Sequence, residues 1–69
     1  MATVFRSPVI RGYIACRNED GNWYLDVTGM WHQEKAKATL MHADFGAAIL
    51  NGGDLCGPGR IKPFWVDQY

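Results

Sequence analysis

The sequence predicts an α+β fold: a three-stranded antiparallel sheet with one helix packed on one face, in the order β-β-α-β. Three observations carry that reading. Two runs of alternating polar and apolar residues flank a tight turn, one later run has helical spacing and stops at paired glycines, and an aromatic stretch follows a Gly-Pro-Gly break. The chain of 69 residues holds a single domain, because two halves would each fall below the roughly 40 residues at which a core needs a covalent or metal staple.

Residues 1–8 read as an extended arm, since Pro8 keeps Ser7 out of the helical region. From Val9 to Arg17 the pattern alternates. Ile10, Gly12, Ile14 and Cys16 share one face, and Arg11, Tyr13, Ala15 and Arg17 share the other. Asn18-Glu19-Asp20-Gly21 supplies side-chain acceptors and a glycine able to take positive φ, which suits a four-residue hairpin loop. The second strand places Trp23, Leu25 and Val27 on one face and Asn22, Tyr24, Asp26 and Thr28 on the other, until Gly29 ends it.

Met30 to Lys37 shows no clean period and reads as a loop with one helical turn. His42 to Leu50 is the predicted helix, with Phe45, Ala48 and Ile49 at i, i+3 and i+4. Asp44 suits the positive end of the helix dipole, and Asn51-Gly52-Gly53 provides the stop. Arg60 to Asp67 forms the third strand. Pro63, which cannot donate to a ladder, assigns that strand to a sheet edge or a bulge.

Seven basic and seven acidic residues give a net charge of zero, which lacks the basic excess of a duplex-binding protein and the acidic excess of a nucleic-acid mimic. No apolar run approaches the roughly 20 residues of a membrane span, and Arg6 and Arg11 interrupt any signal-peptide pattern. The expected setting is therefore the cytoplasm, with no membrane partner. Cys16 and Cys56 do not form a disulfide framework and suit reduced thiols, although two cysteines facing one core could still meet.

The stretch from Gly52 to Arg60 is glycine-rich, but it leaves a helix C-terminus and enters a strand, the reverse of a phosphate loop. His32, His42, Cys16 and Cys56 stand at no chelating spacing, and a core-facing Cys16 would be inert. The expectation is a protein without catalytic residues, metal or cofactor.

Aromatic residues make up 13% of the chain, more than one small core can enclose. The alternation sends Tyr13 and Tyr24 to the uncovered sheet face, beside Arg11 and Arg17, while Phe64 and Trp65 mark the C-terminal edge strand. These six residues are the candidate binding site. Tyr, Trp and Arg anchor protein interfaces, and the same types can stack single-stranded bases. Zero net charge favours a protein partner over nucleic acid, and the edge strand could also pair with a second copy to form a homodimer.

Asp20-Gly21-Asn22-Trp23-Tyr24 in a hairpin, followed by Lys35-Ala36-Lys37-Ala38-Thr39 and an alanine-rich helix, resembles the small ββαβ proteins abundant in phage and prophage genomes. That resemblance implies an interaction protein of the anti-CRISPR type, an inhibitor that occupies the surface of a host defence protein in the host cytoplasm.

Overall fold

The computed structural model describes residues 10–68. The expected arm at residues 1–8 lies outside the described residues, as do Val9 and Tyr69. The architecture is α+β with one α-helix, but the antiparallel sheet has five strands where three were expected. They are β1 (Arg11–Asn18), β2 (Gly21–Leu25), β3 (Trp31–His32), β4 (Met41–His42) and β5 (Phe64–Asp67), with α1 (Ala43–Asn51) between the last two. Single turns of 3-10 helix occupy Lys35–Lys37 and Pro58–Arg60.

β1 is the centre of the sheet. It pairs with β5 from Gly12 to Ala15, with β2 from Ala15 to Asn18 and with β4 at Arg11 and Gly12. Gly12 and Ala15 each have partners on both sides, so β5 runs along one edge of β1 while β2 and β4 share the other. The chain curls to achieve this. From β3 it crosses back over the sheet through the Lys35–Lys37 turn, bonds Thr39 N–H to the Leu25 carbonyl at 3.0 Å, and re-enters as β4.

Asn18 caps the first hairpin as its sequence suggests, but it pairs with Gly21, so the loop is Glu19-Asp20 and not the four residues expected. The Asn18 side-chain oxygen accepts from Asp20 N–H at 2.8 Å and from the Trp23 indole N–H at 2.9 Å, and Gly21 takes φ +121°. The second hairpin was not expected. The second strand stops at Leu25 because Asp26 folds the chain back: Asp26 N–H donates to the Met30 carbonyl at 2.9 Å, and β3 pairs with β2 through Leu25–Trp31 and Tyr24–His32. Val27, expected to face inward, is therefore at the turn and 84% exposed.

The helix begins one residue later than predicted. His42 is its cap, with Nδ1 accepting from Asp44 N–H at 3.1 Å. Its inward face differs too, since Phe45 is exposed and Gly46 is buried. The cause is Trp65. The Trp65 indole lies between Gly12 of β1 and Gly46 of α1, and a Cβ at either glycine would overlap the ring. Close approach of helix and sheet thus turns the smallest helix residue toward the largest sheet residue. The core continues through Ile14 and Cys16, both fully buried, beneath α1 and the loop around Gly57.

Candidate functional site

Alternation along β1 gives the sheet two faces with different covers. Gly12, Ile14 and Cys16, with Trp65 paired to Ile14, form the face under the helix. Tyr13, Ala15 and Arg17 form the opposite face, joined across the ladders by Asn22 and Tyr24 on β2 and by Phe64 and Val66 on β5. These seven residues line a shallow depression of about 160 Å³.

Each wall has a structural cause. Tyr24 stands opposite Ala15, whose small side chain leaves room for the Tyr24 ring to meet Tyr13 edge-on, with centroids 5.6 Å apart and planes at 63°. Arg17 is exposed, and its Nε donates to the Asn22 side-chain oxygen at 2.9 Å across the Arg17–Asn22 pair. That bond orients the guanidinium and leaves its terminal nitrogens free of side-chain partners among the described residues. Phe64 is 45% exposed beside Ala15 on the other flank.

The six candidate residues do not form one cluster. Tyr13, Arg17, Tyr24 and Phe64 come together. Arg11 lies on the same face by alternation but at the far end of β1, paired with His42. Trp65 belongs to the helix-covered face, because neighbouring strand residues point to opposite sides. Tyr13, expected on an uncovered face, is only 7% exposed. The segment after β3 covers it, placing the Lys35 ammonium 5.7 Å from the Tyr13 ring centroid. A larger cleft of about 440 Å³ adjoins this cover, lined by Tyr13, Lys35, Ala36, Ala38, Leu40, Asp67 and Gln68.

Sequence reasoning missed Asn22, Val66 and Lys35. Asn22 shares Tyr24's face in the alternating pattern, and Val66 shares that of Phe64, so both were visible as neighbours. Lys35 gave no signal, since its segment has no period and its position depends on the crossing chain.

A polar cluster borders the site at β3. Asp26 Oδ1 accepts from Thr28 N–H at 2.8 Å, the Thr28 hydroxyl at 2.6 Å and Met30 N–H at 2.9 Å, while Oδ2 lies 2.5 Å from His32 Nε2. The Thr28 hydroxyl, His32 and the Met30 amide together hold the Asp26 carboxyl well below the usual carboxylate range. The Thr28 hydroxyl proton goes to Asp26 and not to His32, so these groups brace a turn and do not form a nucleophile–base relay. Both cysteines are free, and burial pushes the Cys16 thiol upward in pKa, away from the reactive thiolate. Among the described residues no cluster of three or more His, Cys, Asp or Glu side chains could hold a metal ion.

The structure therefore defines a small α+β protein whose second sheet face is covered at Tyr13 and exposes Arg17, Asn22 and Phe64 around a half-buried Tyr24. No family model, curated protein or solved structure matches the chain. No helix among the described residues is long and apolar enough to cross a membrane.

Proposed function

We propose that this protein is a non-enzymatic binding module that engages a partner protein through the face carrying Arg17, Tyr24 and Phe64. The observation that supports it is the depression itself. An oriented guanidinium and two aromatic rings flank a floor of Ala15, and such residues supply most of the binding energy in protein interfaces. Tyr13 acts beneath this surface, as the rigid support of Tyr24. The net charge of zero makes short-range packing, and not attraction to a polyanion, the basis of binding. An inhibitor that occupies a host defence protein is the form this reading takes if the resemblance to phage accessory proteins is followed. A base-stacking role on single strands is the competing use of the same residues.

Capture from a bacterial lysate treated with nuclease tests the proposal. The wild-type chain should retain a protein, and Tyr24→Ala should lose it while keeping native circular dichroism. Phe45→Ala, which removes a more exposed aromatic from the helix, should retain it. Loss of all bound material on nuclease treatment would favour single-stranded nucleic acid, and equal capture by Tyr24→Ala would reject the site.

A further inference from the structure

Among the described residues β5 pairs with β1 alone, so one of its edges is open. The register fixes which main-chain groups face that edge. Gln68 N–H donates to the Arg11 carbonyl at 2.8 Å, which makes Arg11 and Gln68 a hydrogen-bonded pair. Antiparallel alternation then makes Tyr13 with Val66 and Ala15 with Phe64 the next such pairs. The N–H and C=O groups of Trp65 and Asp67 consequently point away from β1, toward the open edge.

This pattern is complementary to itself. A second β5 laid antiparallel, with the two-fold axis at Val66, sets Trp65 against the partner's Asp67 and Asp67 against the partner's Trp65. All four outward groups on each strand then find partners, as an isologous interface requires. We propose that a second copy of this chain occupies the edge, in a weak two-fold dimer that joins two sheets through β5.

Three features favour a second copy over an unrelated strand. The chain carries no net charge, so two copies meet without long-range repulsion. The axis places Val66 opposite the partner's Val66 at a non-hydrogen-bonded position, where cross-strand side chains lie closest. Phe64, exposed along the same edge, gains the aliphatic stem of the partner's Gln68 as cover. The pairing also extends the depression, since Phe64 and Val66 are its walls and the partner's copies continue that surface across the axis. Two features limit its strength. The paired strands are short, and the two Asp67 carboxylates face each other diagonally, although each already accepts its own Trp65 indole N–H at 2.6 Å.

Sedimentation and amide NMR from low micromolar to millimolar protein test the proposal. The mass should approach twice that of the monomer as concentration rises. The Trp65 and Asp67 amides should shift and gain exchange protection in step, while the Val66 amide stays protected throughout. Val66→Lys should remain monomeric, and an equimolar mixture of Val66→Lys and Val66→Glu should associate again. A wild-type monomer at millimolar concentration, or association that leaves the Trp65 and Asp67 amides unmoved, would overturn it; this readout needs no variant to fold. A monomer whose Tyr24 still governs partner capture would reject the dimer and leave the proposed function standing.

Discussion

Asp26 shows how a single carboxylate decides the course of the chain. Placed at the end of an alternating run, it reads as a strand residue, yet its side chain gathers Thr28, Met30 and His32 and turns the strand into a hairpin. Short side chains of this type compete with the ladder for backbone donors. The Asp26 carboxyl is held below its ordinary pKa of 3.8, so the native state keeps it ionised where the unfolded chain would take up a proton. Its contribution to stability is complete above that ordinary pKa and declines as pH falls below it. Urea denaturation of wild type and Asp26→Asn should therefore show the wild-type advantage at neutral pH shrinking as pH drops below about 4. A gap that widens in acid would contradict this assignment.

At the scale of elements, the packing of α1 on the sheet depends on two glycines that admit one tryptophan. Gly46→Ala puts a methyl group into the Trp65 ring, a rigid neighbour with little room to yield. It should destabilise the fold by about 1–3 kcal/mol, as overpacking does, despite the better helix propensity of alanine. Chemical denaturation measures the loss, and an unchanged or higher midpoint would contradict the contact. These elements also show what was legible in the sequence. The first hairpin, the helix and its glycine stop followed from local pattern, because turn chemistry and periodicity act within a few residues. β3 and β4 did not: each has only two residues, and each exists because Asp26 and the return of the chain at Thr39 bring it to a neighbour. The helix face was misread for a similar reason. Phe45, Ala48 and Ile49 have the right spacing, but the rotation of α1 is set by Trp65, which arrives from the other end of the chain.

For the whole molecule, the same division applies to the candidate site. Alternation correctly brought Tyr13, Arg17 and Tyr24 to one face, and the ladder to β5 adds Phe64. Trp65 could not be sorted from Phe64 without the register of β5, and the cover over Tyr13 could not be seen before the segment around Lys35 was placed. The resulting protein keeps its helix, its free buried Cys16 and its indole contact on one side of the sheet, and presents Arg17, Tyr24 and Phe64 on the other. The exposed side chains of that second face can vary without disturbing the core, whereas Tyr13 and Ala15 beneath them belong to it. Site-specific photocrosslinking distinguishes the two sides of the molecule. A photoreactive phenylalanine analogue at position 24 should give a covalent adduct with the captured partner, and the same analogue at position 45 should give none. Adducts from position 45 and none from position 24 would place the partner on the helix and rule out the proposed site.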